Sequence, residues 1–332
     1  MKQPKFFFAL IICVCFFFNG CNAQPQTNSL KLIESVTLPN VSGRIDHLSF
    51  DSKHQIVFVA ALGNNTVEVV DLKNKKMVYT IRGLHEPQGV VFIPETNSIF
   101  VANGGNGECI FFDAKNYTQL SSVDLKDDAD NVRYDAGTNL IYVGYGSGGI
   151  AIINANTMKE VASIQLDGHP ESFQLAKKQN RLYINVPDAN EIEVADLTTH
   201  SIVAKWKNTN ASSNFPMALD ENNNRLFIGC RRPATLTMIN TVTGKYIASI
   251  KCSADADDVF YNAADSLVFV SAGKGYIDIF KANKNALNQI NHFETRNGAR
   301  TSLLLPSEKK FLLAVPSGKG NPAALWIYNT SK

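Results

Sequence analysis

The sequence predicts an all-β fold, a seven-bladed β-propeller closed by an N-terminal strand that completes the last blade. Four observations carry this expectation. The block FIPETNSIFVAN, from Phe92 to Asn103, returns as FDSKHQIVFVAA from Phe50, YDAGTNLIYVGY from Tyr134, LAKKQNRLYINV from Leu175, LDENNNRLFIGC from Leu219, YNAADSLVFVSA from Tyr261 and LPSEKKFLLAVP from Leu304. One equivalent position, Phe58, Phe100, Tyr142, Tyr183, Phe227, Phe269 and Leu312, recurs at intervals of 42, 42, 41, 44, 42 and 43 residues, a period that marks a solenoid or a propeller. Each interval holds four short runs rich in Val, Ile, Phe and Tyr, parted by Gly, Asn and Asp turns, the pattern of a four-stranded antiparallel sheet. Finally, a strand-like segment without a neighbour precedes the repeats, and the last repeat stops one strand short.

Met1-Lys2-Gln3-Pro4-Lys5 is followed by thirteen apolar residues, Phe6 to Phe18, and then by Asn19-Gly20-Cys21. A positive start, a short apolar run and a small-residue exit read as a secretory signal peptide over residues 1–20. Such a run is too short to span a bilayer, which takes roughly 20 residues. Phe18-Asn19-Gly20-Cys21 resembles a bacterial lipobox, which makes Cys21 the lipidated first residue of the mature chain, with an ordinary cleavage point at Ala23 in competition. The expectation is an exported monomer of the bacterial cell envelope, periplasmic or membrane-anchored, that meets the membrane only through a lipid at Cys21.

Lys2 and Lys5 leave with the signal, so the formal charge falls from +2 to 0. That balance argues against a nucleic-acid partner, for which a strong basic excess is expected. Cys13 and Cys15 leave as well, and Cys109, Cys230 and Cys252 remain without CxxC spacing. They read as buried free thiols, with a Cys230–Cys252 bridge as the alternative in an oxidising compartment.

Residues 21–29 are polar and form a tether; residues 30–332 form the propeller. Lys31 to Leu38 is the strand that waits for a partner. The first repeat then gives strands from Ile45 to Phe50, Ile56 to Ala61, Thr66 to Asp71 and Met77 to Ile81. A polar residue closes the third strand at Asp71, Asp113, Asn154, Asp196, Asn240 and Asn329, whereas the sixth repeat has Lys281. The last repeat supplies strands near Arg300 to Leu305, Phe311 to Val315 and Ala324 to Asn329 and then ends. Lys31 to Leu38 fills its fourth place, which closes the ring and covers two sheet edges open to aggregation. The glycines of Gly104-Gly105-Asn106-Gly107 and Gly146-Ser147-Gly148-Gly149 lie between second and third strands and read as turn geometry rather than a phosphate loop.

The strands Ile99-Phe100-Val101-Ala102-Asn103 and Leu140-Ile141-Tyr142-Val143, with GRIDHLSFD at Gly43, ALGNNTVEVVDL at Ala61, EPQGVVFIPETN at Glu86 and GHPESFQL at Gly168, resemble the YVTN-repeat, YncE-like family of bacterial exported β-propellers. The resemblance covers essentially all of residues 30–330. It implies the fold and export, and it brings no shared catalytic signature with it.

In a propeller the first strand of each blade lines the central channel, and residues two apart on a strand share a face. Counting back four from Phe50 and its equivalents gives Asp46, Gln88, Asp130, Glu171, Phe215, Asp257 and Arg300; counting back six gives Arg44, Glu86, Asp128, His169, Ser213, Asp255 and Gly298. Apolar packing needs none of these charges. The expected ligand-binding residues are therefore Arg44, Asp46, His85, Gln88, Asp130, Glu171, Asp257 and Arg300. Convergent carboxylates repel unless a positive charge neutralises them, so Asp46, Asp130, Glu171 and Asp257 are candidate ligands for calcium or another divalent cation. His47, His169 and Glu171 are the candidate proton carriers. Arg231-Arg232-Pro233 reads as a solvated basic turn, and His54, His200 and His292 read as surface residues. No Gly-x-Ser-x-Gly elbow, no His-Glu-x-x-His and no phosphate loop occurs. The sequence thus favours a binding or scaffold module for a small polar ligand or an envelope partner protein. A metal-dependent envelope hydrolase of lactonase type, using the channel carboxylates, is the alternative.

Overall fold

The computed structural model describes residue 1, residues 30–146 and residues 148–330. Cys21 and the segments expected to act as signal peptide and tether, apart from residue 1, lie outside the described residues. Among the described residues the chain forms seven four-stranded antiparallel sheets arranged as a ring, a seven-bladed β-propeller. Blade 1 runs outward from Leu48–Asp51 through Ile56–Ala61 and Thr66–Asp71 to Lys76–Ile81, and the next five blades repeat that order. Blade 7 takes Ser302–Leu305, Lys310–Val315 and Ala323–Asn329 from the end of the chain. Its fourth strand is Lys31–Leu38, antiparallel to Ala323–Asn329 from Lys31 opposite Asn329 to Leu38 opposite Ala323.

The repeated aromatic position explains the ring. Phe58, Phe100, Tyr142, Tyr183, Phe227, Phe269 and Leu312 are each at most 2% exposed, and they fill apolar seams between successive blades. One such seam joins blades 7 and 1, where Val36, Leu38, Ile45 and Leu48 pack with Leu305, Leu312 and Leu325. Thr301 Oγ1 also donates to Ile45 O across it at 3.1 Å. Outer strands such as Gln119–Asp124 and Ile202–Lys207 are exposed apart from half-buried residues at alternate positions, as expected of a sheet edge against water.

The polar residues between strands have definite tasks. The turn after each inner strand ends on a residue in the left-handed region, at Gln55, Asn97, Asn139, Asn180, Asn224, Ser266 and Lys309, with φ between 47° and 59°. Asn is the side chain that tolerates this best after Gly. The polar residue closing the third strand turns the chain: Asp71 Oδ1 accepts from Lys73 N and Asn74 N, Asp196 Oδ1 from Thr198 N and Thr199 N, and Asn240 Oδ1 from Val242 N and Thr243 N. These are Asx turns. Cys109, Cys230 and Cys252 are free thiols, the first two buried.

Candidate functional site

The inner strands of blades 1 and 7 begin later than the sequence suggests, at Leu48 and Ser302, and that of blade 4 begins only at Phe173; the reason shapes the channel. Asp46 N donates to Ala60 O at 2.7 Å while Ala60 N donates to His47 O at 3.0 Å, so two residues face one. Glu171 and Ser172 double up opposite Asn185 in the same way. The register shifts between Pro87 and Gly89, Ala129 and Val132, Asn214 and Met217, and Ala256 and Asp258. These are β-bulges, and each extra residue reverses which side chains face the channel. Ile45 and Leu48, Ala129 and Val132, and Ala256 and Val259 are three apart, yet each pair packs in one seam.

Upstream of the bulge, the channel receives the residues counted from the sequence. Asp46, Asp130, Glu171, Phe215 and Asp257 line one pocket with Arg44, Asn131, His47 and Ser172. Downstream, the parity changes. A larger cavity of ≈ 340 Å³ is lined by His47, Arg133, Ser172, Gln174, Asp258 and Phe260, with Val90, Val132, Met217 and Leu303 among its apolar walls. His47 and Ser172 border both spaces.

Guanidinium groups stand among the hub acids. Arg44 Nη2 lies 2.8 Å from Asp46 Oδ2 and 3.6 Å from Asp257 Oδ2. Arg300 Nη1 lies 3.2 Å from Asp255 Oδ2, with its Nε 3.9 Å from Asp257 Oδ2. Arg231 is not a solvated turn residue: it belongs to the strand Arg225–Arg232, its Nη2 reaches Asp257 Oδ1 at 2.5 Å, and its guanidinium carbon sits 3.8 Å from the centre of the Phe215 ring. Blade 5 has an apolar residue at the ring position, and a neighbouring strand supplies the charge that lies over it.

Burial governs titration here. It pushes the Glu171 carboxyl up to about 8, with the Asp257 charge adding and Arg231 opposing. It raises Asp130 well above the usual carboxylate range, reinforced by Asp46 and Glu171, and raises Asp46 and Asp257 against the pull of the arginines. Burial likewise holds His47 down to about 4, with Arg133 adding to the effect. At neutral pH His47 is a neutral imidazole and Glu171 is largely protonated. Beyond the bulge, burial raises Asp258 well above its ordinary range although it accepts from Ser302 N at 2.7 Å, and lowers Arg133 in spite of Asp258 and Asp130. Asn131 Oδ1, Asp257 Oδ2 and Arg300 Nε are buried with no hydrogen-bond partner among the described residues.

The remaining sequence candidates stand at the rim. Gln88 Nε2 donates to Asp128 Oδ1 at 2.8 Å. His169 Nδ1 is 2.7 Å from Gly146 O, and its Nε2 is 4.0 Å from Asp128 Oδ2. His85 is exposed, and its backbone N donates to Asn103 Oδ1. Glycine makes the close approaches possible: a Cβ on Gly104 would lie 2.0 Å from Gln88 Nε2, and one on Gly273 would lie 2.0 Å from Asp255 Oδ2. Among the described residues, the group whose carboxylate oxygens gather as a metal would require is Asp167, Glu191 and Glu193, outside the hub.

The ring of seven four-stranded sheets around a polar hub defines the fold class, a seven-bladed β-propeller. Comparison supports the class: a chain in a solved structure described as the crystal structure of a mitotic checkpoint complex superposes with a TM-score of 0.75 at 14% identity, over 98% of this chain and 99% of that one. At that identity the likeness is one of fold. No family model matches the sequence, and no curated protein matches it.

Proposed function

We propose that this chain is a non-catalytic binding propeller of the bacterial envelope, of the YVTN-repeat, YncE-like kind, that takes a small polar ligand in its hub. It is exported, anchored through Cys21 and monomeric. The repeat segments and the N-terminal pattern support the family and the export. The observation that carries the ligand reading is the set of buried polar atoms at the hub that lack a hydrogen bond among the described residues, Asn131 Oδ1, Asp257 Oδ2 and Arg300 Nε, the last two only in loose ion-pair contact with each other at 3.9 Å. A buried polar group without a partner is costly, and a ligand bearing both donors and acceptors relieves all three. The cavity beyond the bulge adds an apolar wall with Arg133, Gln174 and Asp258 at hand, the mixture typical of a small-molecule site.

A panel of amino acids, sugars and dicarboxylates tested by thermal shift checks the proposal. At least one class raises the Tm, and the gain is lost in Arg300→Ala and Asp257→Asn. A Tm unmoved by every class, together with native mass spectrometry that finds no small molecule on the purified protein, would overturn it. Glu171 gives the lactonase-type hydrolase its specific support, since a carboxyl titrating at about 8 can deliver a proton at neutral pH. Lactone turnover that needs a divalent cation, stops with chelator and is lost in Glu171→Gln would replace the binding reading with the enzymatic one.

A further inference from the structure

The repeat supplies its own controls for a second site. Glu68 in blade 1, Glu193 in blade 4 and Asp278 in blade 6 occupy one equivalent place, three residues before Asp71, Asp196 and Lys281. Each is at most 1% exposed. Blades 1 and 6 surround their buried acid with partners. Thr66 Oγ1 and Thr80 Oγ1 each donate to one oxygen of Glu68 at 2.6 Å. Asp278 accepts from Ser253 N at 2.6 Å and Gln289 Nε2 at 2.9 Å, and His292 Nδ1 lies 2.6 Å away.

Blade 4 departs from this pattern. Glu193 Oε1 accepts from Asp167 N at 2.9 Å, but Oε2 is buried with no hydrogen-bond partner among the described residues. Where blade 1 has the donor Thr66, blade 4 has a second acid, Glu191, itself 1% exposed, whose Oε1 is also buried and unpartnered. Two lysines approach from the outer strand Ile202–Lys207. Lys207 Nζ lies 2.8 Å from Glu191 Oε2; Lys205 pairs with Asp167 and lies 4.0 Å from Glu193 Oε1. Each lysine therefore faces one oxygen of its glutamate and leaves the other without a partner. Asp167, Glu191 and Glu193 together bring carboxylate oxygens within 4.8 Å of one another. Burial raises the Glu193 carboxyl, with the charges of Asp167 and Glu191 adding and the Asp167 N–H and Lys205 opposing.

We propose that Asp167, Glu191 and Glu193 form a calcium site at the point where the outer strand of blade 3 crosses to blade 4. An all-oxygen, all-carboxylate set suits a hard cation, and calcium accepts irregular geometry completed by water, whereas magnesium demands a near-ideal octahedron. Asp167 is exposed and gives the ion its way in. Lys205, 39% exposed at its side chain, swings into solvent as calcium takes its place. The site shares no residue with the hub, so its fate is independent of the ligand proposed there.

Calcium titration of the full mature chain by calorimetry and thermal shift tests this assignment, with magnesium as the control. The expected result is saturable binding of one calcium ion and a rise in Tm that magnesium does not reproduce. The rise persists in the hub variant Asp257→Asn and disappears in Glu191→Gln/Glu193→Gln. Lys205→Met removes a competing charge and tightens calcium binding by about tenfold. No calcium heat in the native chain and in Lys205→Met would overturn the proposal and leave a lysine-neutralised cluster. A calcium response that survives Glu191→Gln/Glu193→Gln would overturn it too, as would a response lost in Asp257→Asn.

Discussion

At the scale of single residues, titration offers the sharpest check on the hub. Glu171 is raised from 4.5 to about 8, chiefly by burial, so its ionised form is the one the fold disfavours. The stability it contributes is fully present below about pH 4.5 and is lost as the pH rises through 8. Glu171→Gln removes that dependence. Its stability relative to the native chain should improve by roughly 1–3 kcal/mol between pH 5 and pH 9, the full shift being discounted for the channel water beside it. Urea unfolding at the two pH values measures this, and equal differences at both would mean that Glu171 is not held protonated. The acids and arginines counted back from the repeat, Asp46, Asp130, Glu171, Asp257, Arg44 and Arg300, could be placed from the sequence because the bulge recurs at the same place in successive blades, so a fixed count back from the repeat reaches equivalent positions. Arg133, Gln174 and Asp258 could not, since a bulge leaves no fixed mark in composition yet reverses every later position. Arg231 escaped for another reason: it enters from a second strand, and no count along the first can find it.

At the scale of elements, the turns show how far a repeat fixes conformation even where residue type varies. All seven inner turns place a residue in the left-handed region, but only Asn97, Asn139, Asn180 and Asn224 suit it, while Gln55, Ser266 and Lys309 occupy the same backbone. An L residue there costs roughly 1–2 kcal/mol, which Gly avoids in the folded state while adding entropy to the unfolded one. Lys309→Gly should therefore stabilise the protein by roughly 0.5–1 kcal/mol, read as a higher urea midpoint at unchanged slope. Lys309→Val should do the opposite, and a neutral result from both would show that blade 7 relaxes its turn freely. Strand boundaries were legible wherever polar closers such as Asp71 and Asn240 marked them. The start of the inner strand of blade 1 was not, because Ile45 continues the apolar pattern into the bulge while the paired strand begins at Leu48.

For the whole molecule, ring closure is the feature on which the other interactions depend. The missing fourth strand of blade 7 and the spare strand at Lys31–Leu38 could be matched from the sequence, because an unpaired edge at each end has one mutual solution. Val36 is 2% exposed and packs in the seam between blades 7 and 1, whereas Leu32 on the same strand is 46% exposed. Val36→Asp should cost roughly 3–5 kcal/mol through an uncompensated buried charge, and Leu32→Asp should stay within roughly 0.5 kcal/mol. Thermal melts of the two variants settle it; equal losses would mean that the strand acts as a surface ribbon rather than a clasp. The same clasp imposes an order of assembly. Among the strands of the ring, Lys31 to Leu38 is made first and its partner, Ala323–Asn329, last. A chain still being translated thus carries its own latch unfastened on one side and blade 7 unmade on the other, so a product cut short before the final strand has no way to lock.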